Sequence, residues 1–330
     1  MNQKIILKPE DLTKIPLLMV LFIVLVSGLP IVALNYFNTP IGFAETLTQT
    51  PKDLLLEYKV RAYTWKIVLQ WTAFILALIT AFLSFSQYRL DKNKIALVIG
   101  FAILSGGFMG FFHILLVGGL LQSVFSDANT SAFIWVLNGL IGTVILTIGL
   151  LLVSRFNIKS ISSSLLILFS ILLFFILFST TTYLLLNYDI PKIWFAEDFF
   201  VRPYELIPLI LNLFLIVAIY PSAYKKYPDM LTNAIFYMGM IQIVVSLYLL
   251  LLAKEQYDSA FYIAYSLKII YYAIPLACLI IKYIFSYHYI LDIKQKLSIF
   301  DKRSFLTENN NMENIYSFID LEATSNDPEN

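Results

Sequence analysis

His113 is the residue in this chain best suited to acid–base or ligand chemistry, since a histidine is the side chain most readily switched by its surroundings near neutral pH. It lies in the stretch from Ser105 to Leu116, SGGFMGFFHILL, where its neighbours are small or apolar. Gly106, Gly107 and Gly110 leave a smooth strip along which another helix can approach, and His113 falls about one turn beyond it. An ionisable group in such surroundings costs roughly 2.5 to 3.5 kcal/mol at the centre of a bilayer on insertion scales. Two readings follow: a functional histidine facing the interior of a helix bundle, or a packing histidine bonded to a neighbouring carbonyl.

Other polar residues fall at a matching level on other apolar runs: Lys66 and Gln70, Asn138, Glu205, Tyr248, then Asp258, Tyr265 and Lys268. Intramembrane polar groups usually face a bundle interior or a cavity. On that rule His113, Gln70, Asn138, Glu205, Tyr248, Tyr265 and Lys268 are candidate ligand-binding residues of an outward-opening polar pocket. The alternative is a set of interfacial anchors with a structural Glu205 to Lys268 pair, because long charged side chains snorkel to the interface.

Catalytic motifs are absent. There is no HExxH, GxSxG, P-loop or pair of intramembrane aspartates, so no residue is assigned a catalytic role and no enzyme is expected. Cys278 is the single cysteine, which excludes an intramolecular disulfide and a thiolate metal cluster. No metal or other cofactor is expected. Lys268 could evoke a Schiff base, but no carboxylate lies deep in the His113 run to serve as its counter-ion.

The elements that must position these residues follow from composition. The 330 residues are 59% hydrophobic, 16% aromatic and only 14% charged. Their mean hydropathy is +0.77. A soluble domain is about 45 to 50% apolar, so the fold class expected is all-α, a polytopic membrane helix bundle. Eight runs are long enough to span, centred near Ile23, Ala77, Leu104, Val144, Leu172, Phe214, Ile243 and Leu276. The first follows Lys4, Lys8 and Lys14 and lacks a small-residue cleavage site, which reads as a retained signal anchor. The sixth is expected to end before Pro221, and Pro275 is expected to kink the eighth.

Orientation is read from the basic residues. Fifteen of the 23 Lys and Arg fall on the side holding both termini, which predicts cytoplasmic termini. Trp65, Trp135 and Trp194 then fall near the outer interface as aromatic anchors, and His288 at the inner end of the last run. The expected organisation is a cytoplasmic N-terminus over 1–14, the eight-helix domain over 15–290, and a helix extension with a disordered acidic tail over 291–330. From Ser304 onward there are six acids and no Lys or Arg. A net charge of +1 gives no reason to expect nucleic acid as a partner.

Several segments carry a family resemblance: FSQYRL, LSGGFMGFFHILL, FSDANTSAFIWVLNGLIGTVIL, VRPYELIPLILNLFLIVAIYPSAYKKYP and QYDSAFYIAYSLKIIYYAIPLACLIIKYI. Together they resemble the multi-helix membrane-associated sensor (MASE-like) input domain found ahead of bacterial diguanylate cyclases and sensor histidine kinases. The likeness runs discontinuously from about Tyr63 to Tyr289, and its most specific parts are the RPYELIPL and YDSAFYIAYSLKI blocks. It implies a sensory or signalling input module in the bacterial inner (cytoplasmic) membrane. In the family pattern an acid precedes the FFH histidine where this chain has Gly110 and Met109, and further histidines stand where it has Lys66, Tyr248 and Tyr265. His113 alone is too few ligands for a typical metal site. The resemblance therefore implies the sensory fold without metal sensing.

Beyond the eighth run about 40 residues remain, fewer than the roughly 100 to 200 of an ordinary catalytic domain. The expected partners are accordingly the lipid bilayer, a cytoplasmic kinase or cyclase that receives the signal, and a second copy of the chain. Two other classes fit the same residues. A small-solute transporter predicts flux in vesicles, and a membrane enzyme acting on a lipid-soluble substrate predicts turnover lost in His113→Ala.

Overall fold

A computed structural model of the chain describes residues 14–37, 55–117, 128–156, 162–188, 190–195, 197–254 and 258–325. Among the described residues there is no strand. The helices are α1 (Leu17–Phe37), α2 (Leu55–Asp91), α3 (Lys94–Val117), α4 (Ala128–Arg155), α5 (Ser163–Asn187), α6 (Leu206–Phe214), α7 (Tyr220–Lys226), α8 (Met230–Leu251) and α9 (Ser259–Ser325). Seven membrane-length apolar spans are built from α2 to α9, with α6 and α7 joined in one of them. The first run forms α1, which is apolar but is not among the seven. This is the all-helical membrane bundle that composition called for.

Burial orders the helices. In its most apolar window α3 is 78% buried within the protein, against 11% for α5, so α3 is central and α5 peripheral. Edge-to-face aromatic pairs hold the two together, Phe108 with Phe174 at 4.9 Å and Phe112 with Phe178 at 5.2 Å between ring centroids. On its other side α3 is hairpinned to α2 through a two-residue turn. Lys92 takes a left-handed backbone there, with φ 57°. Asn93 Oδ1 then caps α3 by accepting from the backbone N–H of Ile95 at 2.9 Å. The hairpin brings Gly107 against Ala77, where a Cβ on the glycine would lie 3.1 Å from the alanine Cβ.

The sixth run does not end before Pro221. It opens as a 3-10 turn over Pro203–Glu205, continues as α6, widens into a π turn over Leu215–Ile219, and resumes as α7. Proline lacks an N–H and its ring crowds the carbonyl four residues back. The wider turn meets both problems: the Tyr220 N–H bonds to Leu215 O, five residues away, just ahead of the proline. In α9 the helix runs through Pro275. Thr80 Oγ1 on α2 donates to Tyr272 O at 3.2 Å, next to the carbonyl that the missing proline N–H leaves free.

The bundle occupies Leu12–Ile280, and the described residues from Ile281 onward belong to a second unit. In that unit His288 is exposed. The backbone is helical as far as Ser325, although the acidic composition led to an expectation of disorder from Ser304. No glycine or proline interrupts residues 304–325, so nothing in the backbone chemistry stops the helix there.

Candidate ligand site

The residues expected to form a ring are all buried within the bundle. Lys66 is 2% exposed, His113 4%, Glu205 1%, Tyr248 1% and Lys268 7%. Lys268 lies nine residues along α9 from Ser259, ~14 Å at the helical rise. The bundle interior, not the interface, is therefore where these groups sit.

At the centre a hydrogen-bonded chain crosses four helices. Gln70 Nε2 on α2 donates to His113 Nδ1 on α3 at 2.7 Å and to the Tyr265 hydroxyl on α9 at 3.2 Å. A ring nitrogen that accepts is unprotonated, so the imidazole proton sits on Nε2 and is donated to Ser131 Oγ on α4 at 2.7 Å. Lys66 Nζ, one turn from Gln70 on α2, donates to the same serine oxygen at 3.4 Å. The His113 partners are thus Gln70 and Ser131. Tyr265 is reached only through Gln70.

A second set of contacts runs along α8. Lys268 Nζ donates to Gln242 Oε1 at 3.1 Å and lies over the rings of Tyr271 and Tyr272, 4.6 and 5.5 Å from their centroids. Ser246 Oγ, one turn further along α8, donates to Glu205 Oε2 at 3.4 Å. The direct Glu205 to Lys268 pair expected from sequence is not made. Each charge is held instead by its own neutral partner on α8, and the carboxylate and ammonium feel each other across that turn. Glu205 Oε1 and the Tyr248 hydroxyl are buried without a hydrogen-bond partner.

Above Glu205 stands Arg202, 2% exposed, with its guanidinium 4.3 Å from the Trp194 ring centroid. Burial lowers the Arg202 guanidinium from its ordinary value, and the Glu205 carboxylate opposes that shift. The loop holding it is tied down: Val201 N–H bonds to Leu250 O at 2.8 Å, and Trp194 Nε1 donates to Lys254 O at 3.1 Å.

Five of the seven candidate residues, Gln70, His113, Asn138, Tyr265 and Lys268, line one cavity of about 30 Å³. A single water needs about 10 to 15 Å³ on that measure, so there is room for about two. Glu205 and Tyr248 are buried outside its lining. The glycine strip divides into three roles. Gly107 packs against α2, and Gly106 accommodates the Tyr272 hydroxyl, which a Cβ would meet at 2.7 Å. Gly110 borders the cavity, and a Cβ there would meet nothing within 4 Å. The polar site is thus a small space inside the bundle. Residues 38–54 and 118–127 lie outside the described residues, so an outward opening of the pocket is not described.

Trp135, expected as an interfacial anchor, is 7% exposed and packs its ring 4.3 Å from Tyr265 as a wall of the cavity. Trp65 is 54% exposed, as an anchor facing lipid would be. Sequence reasoning missed Ser131, Gln242, Ser246 and Tyr272. It did not single out Arg202. The signal for Arg202 was its place immediately before the 3-10 turn that carries Glu205. Among the described residues no group of three or more His, Cys, Asp or Glu is arranged to hold a metal ion.

Comparison with protein-family models, with curated proteins and with solved structures finds no match to this chain.

Proposed function

We propose that the chain is a membrane-embedded sensory module, of the membrane-associated sensor type its sequence resembles, that acts through a separate partner protein. The observation that supports this best is the chain Tyr265, Gln70, His113, Ser131 and Lys66, which sets the relative positions of α9, α2, α3 and α4 with hydrogen bonds beside a small cavity. A ligand that exchanges with any of those bonds shifts the balance between helix arrangements by its differential affinity for them. Tyr265 and Lys268 lie on α9, the helix that leads toward the C-terminal segment.

In this reading the termini face the cytoplasm of a bacterial cell, the inner membrane holds the bundle, and the partner is a kinase or cyclase engaged through the C-terminal segment or through a second copy of the chain. The test is reconstitution of the full chain with the kinase or cyclase that co-purifies with it. Output is compared between wild type and His113→Gln, with both folded by circular dichroism. Partner output that differs between the two supports the reading. Equal output from both, or solute flux in vesicles carrying the chain alone, would overturn it.

A further inference from the structure

We propose that the groove between α2 and α5 binds one anionic glycerophospholipid of the bilayer, with an acyl chain laid along the groove and the phosphate held by Arg89. The floor of the groove is Leu104 and Phe108 on α3, and its volume is about 660 Å³. That is within the range of small-molecule sites, about 300 to 1,000 Å³. One wall runs from Leu78 to Arg89 on α2 and the other from Leu166 to Phe175 on α5. At the helical rise these are about 16 and 14 Å long, the depth of one leaflet of a hydrocarbon core about 30 Å thick. The walls face outward: Phe82 on α2 is 70% exposed and Phe175 on α5 is 58% exposed. The inference does not depend on the sensory reading above.

Polarity in the lining is confined to one end. Ser170 donates to Leu166 O on its own helix at 2.8 Å, so its hydroxyl proton is already used. Ser86 and Arg89 remain, three residues apart on one face of α2 and both exposed. Arg89 lies two residues from the end of α2, where a headgroup would stand. Among the described residues its guanidinium has no hydrogen bond or ion pair. A guanidinium takes a phosphate through two parallel hydrogen bonds. The Ser86 hydroxyl, one turn further in, is placed to donate to a lipid ester oxygen. No carboxylate lines the groove, so the ammonium of a zwitterionic headgroup would find no partner there. A lipid of net charge −1 answers the lone cation and the apolar walls together. An apolar helix from a second copy would fill the walls and leave the guanidinium without an acceptor.

The test is native mass spectrometry of the full chain released from micelles holding equal amounts of phosphatidylglycerol and phosphatidylethanolamine with matched acyl chains. Wild type is expected to retain one lipid, enriched in phosphatidylglycerol about fivefold, the effect of one basic residue near the membrane surface. Arg89→Gln should abolish the enrichment. Ser170→Phe, which puts a ring midway along the groove, should lower retention of both lipids. Arg155 is the control, since it is exposed at the same end of the bundle and outside the groove lining. Arg155→Gln should leave retention and enrichment unchanged. Circular dichroism checks the fold of each variant, and Arg89→Gln, at an exposed position, decides the matter where Ser170→Phe does not fold. No retained lipid, equal retention of the two lipids in wild type, or enrichment that survives Arg89→Gln would each overturn the site. So would unchanged retention in folded Ser170→Phe, enrichment lost equally in Arg155→Gln, or a dimer in place of a bound lipid.

Discussion

Gln70 Nε2 lies 2.7 Å from His113 Nδ1, and that contact fixes the direction of the hydrogen bonds beyond it. The amide donates, so the imidazole donates onward from Nε2 to Ser131, and the serine oxygen is left to accept from Lys66 as well. Polarity thus runs one way from α2 through α3 to α4.

Breaking the chain at either end should therefore leave a buried orphan. Gln70→Leu strands His113 Nδ1, and Ser131→Ala strands Nε2–H and removes a Lys66 partner. Each should cost about 1 to 3 kcal/mol, the desolvation penalty of an unsatisfied buried group. Reversible unfolding in mixed micelles measures it. Because both changes act on one ring, their effects should be non-additive by 0.5 kcal/mol or more, on the order seen for residues in one network. Strict additivity would show that the ring does not transmit between them.

Lys268 and Glu205 call for a double-mutant cycle of a different kind. Lys268→Met removes a buried charge whose hydrogen bond goes to Gln242, and Glu205→Gln removes one bonded to Ser246. Either single change should destabilise by about 1 to 3 kcal/mol, because it leaves Gln242 or Ser246 without its buried partner. Coupling of Lys268→Met should be larger with Gln242→Leu than with Glu205→Gln. The reverse order would restore a direct ion pair.

The glycines offer a comparison inside one helix. Gly110→Ala should stabilise α3 by up to about 1 kcal/mol, the propensity difference, because its Cβ meets no atom. Gly106→Ala drives a methyl to 2.7 Å from the buried Tyr272 hydroxyl and should cost about 1 to 3 kcal/mol through overpacking. Thermal midpoints moving in opposite directions would bear this out, and equal shifts would refute it.

Lys92 holds a left-handed backbone, for which L-residues other than glycine are penalised. Lys92→Gly should stabilise the α2–α3 hairpin by about 1 kcal/mol or less once the extra freedom of unfolded glycine is deducted. A destabilised variant would mean that the lysine side chain, which lies 5.7 Å from the Tyr88 ring centroid, outweighs the backbone term.

Much of the fold was legible because length and apolarity suffice to specify a crossing. The run centred on Leu104 became α3, and the one on Val144 became α4, with no tertiary information needed. The sixth run was misjudged at Pro221 because a proline signals a break and gives no sign of the π turn that accommodates it. Within the site, charged and aromatic polar residues stood out against the apolar background, whereas Ser131 did not. A hydroxyl next to Asn129 and Thr130 at the start of a helix has no periodic or compositional signature, and its importance comes from what α3 and α2 bring to it. Trp135 failed for the opposite reason: its type suggested an interface, and its ring is held inside by Tyr265.

Gln70 and Lys66 stand one turn apart on the same helix, and each is tied to a different neighbour, α3 for the first and α4 for the second. Since His113 and Ser131 are bonded to each other, the three helices close a triangle. Such a frame resists twist and sliding together, because neither Gln70 nor Lys66 can serve as a pivot while the other is latched. Loss of one corner opens the triangle and leaves two latches, so the ties among α2, α3 and α4 no longer close on themselves.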